Sequence, residues 1–384
     1  MFLWTLGDQG RSAFLALAYH ALFRTEGVTM RSQREARNGR WGLAVVAALA
    51  VGCGDASKEE SVGTEPGTWG WTAVPESTCD EGTPTGLGSN LAEDSKNLVI
   101  YFSGGGACWD ATTCLEANSS LHGPFTGFLF TLVKDNTFKG SILDRTLAHN
   151  PYQDWNLFFL PYCTGDLHIG DADQVYTAGS VTKTIRHRGL KNTQAFLARI
   201  AATVPEPEQV LVTGSSAGGF GAALNYTLIR QAFPRARVFL VDDAGPLFKN
   251  DALSPALRAA WAQAWNYDAV LEGIDPAVRE DFSALYPVLA RKFPEDRMAL
   301  LSSLQDETIR AYFQLTPERF EIALRDLATT VIAPLPRTRT FLTPGEGHTL
   351  LTQPAAHRSQ NVGLLDWLQQ MHTASDAEWK SVQP

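Results

Sequence analysis

One repeated pattern limits the folds open to this chain more than any other feature. A short run of large apolar residues stops at a glycine, a proline or an acid. The runs are "NLVIYFSGGG" (Asn97 to Gly106), "DWNLFFLPYC" (Asp154 to Cys163), "EQVLVTG" (Glu208 to Gly214), "ARVFLVDD" (Ala236 to Asp243), "MALLSSLQD" (Met298 to Asp306) and "RTRTFLTPG" (Arg337 to Gly345). The first four do not alternate with polar residues, so each of those reads as a strand buried on both faces. Between them lie segments with helical spacing, including "RGLKNTQAFLARIAATV" from Arg188 and "AGGFGAALNYTLIRQAF" from Ala217. Strand and helix in succession predict an α/β fold: a mostly parallel sheet with helices on both faces, its active groups at the carboxyl ends of strands. Residues 247–295, rich in Trp, Ala, Leu and Pro, predict a helical insertion.

The chain has 384 residues, enough for one large α/β domain or two smaller ones. A hydrophobic share of 44% and a charged share of 19% exclude bulk disorder. The net charge of −9 offers no basic face for nucleic acid.

Basic residues do cluster once, in "RSQREARNGR" (Arg31 to Arg40), before the apolar run "WGLAVVAALAVG" and Cys53. A basic stretch, a short apolar run and small residues form an export signal, too short to span a bilayer. Cysteine straight after "AVG" resembles a lipobox, which predicts a lipidated Cys53 as the mature N-terminus, although Ala50 stands where leucine is favoured. Ordinary signal cleavage is the alternative. Residues 1–52 thus divide into an upstream extension and a signal peptide, with Met30 a second candidate start. Residues 53–68 are polar and Gly-rich and predict a flexible tether. One domain is then expected over 69–384, lipid-anchored in the cell envelope.

An exported protein folds where disulfides form. Setting Cys53 aside leaves Cys79, Cys108, Cys114 and Cys163, which permit three pairings. A local Cys108–Cys114 bridge is the simplest and leaves Cys79 with Cys163. Chain-entropy arguments give roughly 2 kcal/mol for the short bridge and about 4.5 kcal/mol for the long one. No C-x-x-C pair or histidine cluster favours zinc, and no metal or other cofactor is expected.

The stretch "LVTGSSAGGFGAAL" (Leu211 to Leu224) carries the chemistry. No lysine follows its glycines, so it lacks the cation of a phosphate loop, and "GSSAGG" is not a dinucleotide fingerprint. It does contain Gly214-x-Ser216-x-Gly218 between a strand and a helix, the setting of a nucleophile elbow. A serine hydroxyl needs a base, and the base needs an orienting carboxylate. His348, in a Gly-flanked loop after the last strand, is the expected base, because His357 and His372 read as solvated surface. Asp306, ending a strand between Ser216 and His348, is the expected acid. Asp243 is the other candidate, but its strand follows the nucleophile helix directly. Asp242 and Asp243 read instead as loop caps or the floor of the site. Backbone amides of Ala217 and of the "SGGG" loop, Gly105 and Gly106, would line an oxyanion hole.

With those residues placed, the chain resembles the pectin acetylesterase and Notum carboxylesterase family. "CDEGTPTG", "YFSGGGACWDATTC", "PYCTGD", "GSSAGG" and "GHTLL" occur in the family's order, and the likeness runs from about Trp69 to Leu368. It implies an α/β-hydrolase fold and metal-free hydrolysis of acyl esters. It places Ser216 as nucleophile, Asp306 as acid and His348 as base, with Gly105, Gly106 and Ala217 at the oxyanion hole. Animal members carry an aromatic where this chain has Gly106, so the acyl pocket is expected to differ. The function expected is a secreted serine carboxylesterase acting on O-acyl esters, acetyl foremost, of small molecules or polysaccharides. The alternatives are a non-catalytic carbohydrate-binding surface lipoprotein, or a lipase or peptidase on the same scaffold.

Overall fold

In a computed structural model, which describes residues 61–384, the six apolar runs become strands of one sheet. The expected signal, the start at Met30 and lipidation at Cys53 lie outside the described residues.

The strands are β1 (Gly70–Val74), β2 (Thr85–Asn90), β3 (Asn97–Phe102), β4 (Asn156–Leu160), β5 (Ala172–Ala178), β6 (Val181–His187), β7 (Gln209–Ser215), β8 (Arg237–Asp243), β9 (Arg297–Ser303) and β10 (Thr338–Thr343). Eight of them form a sheet in the order β1-β2-β4-β3-β7-β8-β9-β10. From β4 to β10 every pairing is parallel, and β1 and β2 extend one edge antiparallel. Odd and even residues of one strand serve opposite faces. Leu98, Ile100, Val210, Val212, Val238 and Leu240 join one core, while Val99, Tyr101, Leu211, Phe239, Val241 and Leu301 join the other. Burial on both faces is why these strands read as unbroken apolar runs.

The register brings the strand ends level. Phe102 pairs with Gly214, Ser215 with Asp243, Asp243 with Leu301, and Ser303 with Thr343. The four loops leaving these ends are those that carry the predicted site residues.

The helices are α1 (Gly127–Thr137), α2 (Gly189–Thr203), α3 (Ala217–Leu224), α4 (Tyr226–Ala232), α5 (Pro255–Trp265), α6 (Asp268–Ile274), α7 (Pro276–Glu280), α8 (Leu285–Lys292), α9 (Glu307–Tyr312), α10 (Pro317–Asp326) and α11 (Leu364–Thr373). Helices α5 to α8 make up the insertion expected over 247–295. The single helix expected from Ala217 to Phe233 is instead two, α3 and α4. At the break Asn225 turns its amide Nδ2 onto the His168 carbonyl (3.1 Å) and the Gly221 carbonyl (2.9 Å), a local bond that competes with helix continuation.

Both expected disulfides are present, Cys79–Cys163 and Cys108–Cys114. Within the stretch read as tether, Val62 is buried and its amide donates to Thr203 Oγ1 at 2.8 Å. Packing therefore begins upstream of Trp69. Among the described residues no helix is long and apolar enough to cross a membrane.

Candidate active site

Ser216 follows β7 at φ +61°, ψ −125°, a conformation a residue with a side chain rarely adopts. Such strain persists only where its surroundings impose it. Here the Ser216 amide donates to the Asp243 carbonyl (2.8 Å), and its own carbonyl accepts from Gly219 (2.8 Å) at the start of α3. The turn is tight enough that a Cβ on Gly218 would meet the Phe102 carbonyl, and one on Gly214 the Gly218 carbonyl. That is the steric reason for G-x-S-x-G in this chain.

His348 and Asp306 meet. The ring Nδ1 lies 2.8 Å from Asp306 Oδ2 and 3.1 Å from Oδ1. Asp306 is completely buried, whereas the His348 side chain keeps 17% of its exposure. The carboxylate is fixed from behind, since Oδ1 also caps α9 by accepting from the amides of Thr308 (3.0 Å) and Ile309 (2.9 Å). These bonds fix the orientation in which the carboxylate meets the ring. Asp243, the rival acid, makes no hydrogen bond to the ring among the described residues. It bonds instead to the main chain of the histidine loop. Ser216, 8% exposed, and His348 have no hydrogen bond between them among the described residues.

The glycine loop runs alongside the serine. A Cβ on Gly104 would stand 2.6 Å from the Ser215 carbonyl and 3.1 Å from Ser216 Cβ, so this glycine sets how closely the loop approaches the elbow. Residues 119–121 back the loop: Ala107 donates to Ser119 (3.2 Å) and Leu121 to Gly105 (2.7 Å). The amides of Gly105, Gly106 and Ala217 make no hydrogen bond among the described residues. The Cys108–Cys114 bridge and a bond from Trp265 Nε1 to the Cys108 carbonyl (2.8 Å) hold the far end of the loop.

Two histidines were misjudged or missed from sequence. His372, read as solvated, packs against Tyr152, Trp155 and Phe239, and burial pushes its pKa down to about 3. Its position near the carboxyl end of α11 hides that the helix lies on the sheet. His168 precedes Ser216 in the chain, which sets it aside as the base. It is buried, its pKa pushed down to about 4 by burial, and its Nε2 lies 2.9 Å from the Ser103 carbonyl. A neutral ring donating there steadies the start of the glycine loop.

An aromatic at position 106 has no room here. Gly106 has φ +76°, and a Cβ would meet the Ser119 carbonyl and the Tyr312 hydroxyl. Tyr312, which donates to Ser119, and Trp109 stand edge-on to each other there, and Trp109 also meets Trp261 of the insertion. Beside α5 and α6, Phe220, Leu224, Trp261, Trp265, Leu271 and Phe313 line an entirely apolar cavity of about 20 Å³. The closest approach to a metal cluster among the described residues is Cys108, Cys114 and His187. Its two sulfurs are bonded to each other and supply no thiolate.

A mostly parallel sheet with a serine elbow after its central strand β7, and an Asp–His pair after β9 and β10, has the architecture of the α/β-hydrolases. The chain belongs to the pectinacetylesterase family, whose profile matches residues 71–290. Over 151 residues it is 26% identical to pectin acetylesterase 11 of Arabidopsis thaliana, covering 39% of this chain and 37% of that protein. Over 223 residues it is 27% identical to the palmitoleoyl-protein carboxylesterase NOTUM of Drosophila melanogaster, covering 55% of this chain and 32% of that one. The chain thus spans about a third of the length of these relatives. The crystal structure of the Wnt deacylase Notum from Drosophila superposes with a TM-score of 0.60 at 18% identity, over 82% of this chain and 95% of that chain.

Proposed function

We propose that this chain is an exported serine carboxylesterase that removes short O-acyl groups, acetyl foremost, from small molecules or polysaccharides. The observation that carries the reading is the His348–Asp306 pair, anchored on a buried carboxylate, at the same edge of the sheet as the strained Ser216. In this reading Ser216 Oγ attacks the ester carbonyl while His348 Nε2 takes its proton. The carbonyl oxygen becomes an oxyanion facing the amides of Gly105, Gly106 and Ala217. His348 returns the proton to the departing alcohol, and water, activated the same way, releases the acid from the acyl-enzyme.

The short acyl group is supported by the crowding of the glycine loop. The Tyr312 hydroxyl stands where a side chain on Gly106 would go, and Trp109 lies edge-on to the Tyr312 ring. The names of the relatives favour pectin acetyl esters or a palmitoleoyl protein, and chain-length preference separates these. Hydrolysis of 4-nitrophenyl acetate is expected to exceed that of the palmitate ester. A preference for palmitate would overturn the short-chain reading. Ser216→Ala is expected to lower kcat by a factor on the order of 10⁶. Metabolic labelling with palmitate, lost in Cys53→Ala, tests the lipid anchor.

A further inference from the structure

We propose that Asp243 is a positioning residue that ties the nucleophile turn to the histidine loop, its main chain holding Ser216 and its carboxylate holding the segment that carries His348. The proposal rests on the triad reading above.

The carboxylate is completely buried at the end of β8, the strand next to the nucleophile strand. Oδ1 accepts from the Leu350 amide at 2.8 Å, and Oδ2 accepts from the amides of Leu350 (3.1 Å) and Leu351 (2.9 Å). Ser215 Oγ donates to Oδ2 at 2.7 Å, and Tyr101 Oη donates to Ser215 Oγ at 3.0 Å. The carbonyl of the same residue accepts from the Ser216 amide at 2.8 Å. One residue therefore touches the backbone on both sides of the reacting pair.

The backbone it holds is out of its relaxed state. Thr349, between the base and the anchored amides, has φ +65°, as Ser216 has +61° and Ala244 has +61°. These positive-φ residues flank Asp243 or the segment it anchors: its carbonyl holds the Ser216 amide, and its carboxylate holds the two amides that follow Thr349. The charge suits the task. Burial pushes the Asp243 carboxyl up to about 6, still ionised at neutral pH, while burial holds neighbouring Asp242 well above the carboxylate range. The negative charge of the pair thus sits on the member that faces the loop amides.

Asp306 and Asp243 divide the work: one orients the imidazole, the other the main chain beneath it. Asparagine at 243 would turn an N–H₂ group toward donors. A displacement of the base by about 1 Å is enough to cost roughly 10²-fold in rate.

The test uses the full chain with 4-nitrophenyl acetate. Ser216→Ala comes first: if it remains active, the triad reading itself fails. With that variant inactive, Asp243→Asn is expected to lower kcat about 10²-fold while KM stays within about twofold. The far-downfield proton resonance of His348 Nδ1–H, identified by its absence in His348→Ala, is expected to vanish as well. A folded Asp243→Asn with unchanged kcat and an intact resonance would overturn the proposal. So would a loss spread between kcat and KM with the resonance kept, which marks general damage. If Asp243→Asn does not fold, Ser215→Ala decides. It removes one donor and the link to Tyr101, and kcat is expected to fall about threefold at constant KM. An unchanged kcat and resonance in Ser215→Ala would then sink the idea.

Discussion

The carboxyl edge of the sheet and the helical insertion both contain buried residues, yet they are specified in different ways. At the edge, single residues meet single demands. Gly218 is glycine because the Phe102 carbonyl occupies the place of its side chain, and Asp306 must both cap α9 and face His348. In the insertion, Leu257, Leu271, Val278, Leu285 and Leu289 meet one collective demand, to fill space against the sheet. Apolar residues of similar volume exchange at modest cost in such packing. The difference predicts that edge substitutions act on kcat and insertion substitutions on stability.

The largest effect expected is at the edge. Asp306→Asn keeps the shape but offers the ring an amide in place of an anion, and kcat should fall by about 10⁴-fold, as for other triads. A melting curve should shift little if one oxygen still caps α9. If kcat falls less than tenfold, Asp306 does not orient the base.

The mirror experiment lies in the insertion. Leu289→Ala, at a fully buried position on α8, should destabilise by about 2–5 kcal/mol through lost transfer energy and the cavity left behind. Its kcat on the acetyl ester should remain within about twofold below the melting transition. A large loss of kcat there would break the division between the two regions.

This division also decides what can be read from the sequence. The parallel strands were legible because burial on both faces leaves a continuous apolar run, and the Asp306–His348 pair because its residue types and chain order answer to chemistry. The hairpin β5–β6 was not, since Thr182, Lys183 and Thr184 on its exposed strand carry no core pattern. Strands β1 and β2 were hidden for a related reason: Gly86 and Gly88 lie at β2, where the Thr72 carbonyl and the Phe130 ring come too close for a side chain. His168 and Asp243 act through bonds to main-chain atoms of distant loops, which no spacing in sequence records.

The disulfide at Cys108–Cys114 belongs to the edge by position and to the scaffold by function. Replacing both cysteines with serine should destabilise by roughly 2 kcal/mol, from the entropy of a short loop. It should also lower kcat, because the glycine loop loses one of its two distal ties, leaving the bond from Trp265. Melting and kinetics on the same preparation would show whether the two losses travel together. Lost stability with unchanged kcat would mean that residues 119–121 and the Trp265 bond suffice to set the glycine loop.

Tyr312 tests where one region ends and the other begins. It closes α9, directly after Asp306, yet its hydroxyl donates to the Ser119 carbonyl behind the glycine loop and its ring meets Trp109. Tyr312→Phe removes the hydroxyl alone. The Ser119 carbonyl still accepts from the Ala107 amide, so no buried group is left without a partner, and the expected loss is about 1 kcal/mol. Combined with Leu289→Ala, the two losses should add to within about 0.5 kcal/mol if edge and insertion are independent. A larger coupling would show that the insertion reaches the glycine loop through the Trp109–Trp261 contact, and that its packing bears on the reaction as well as on the fold.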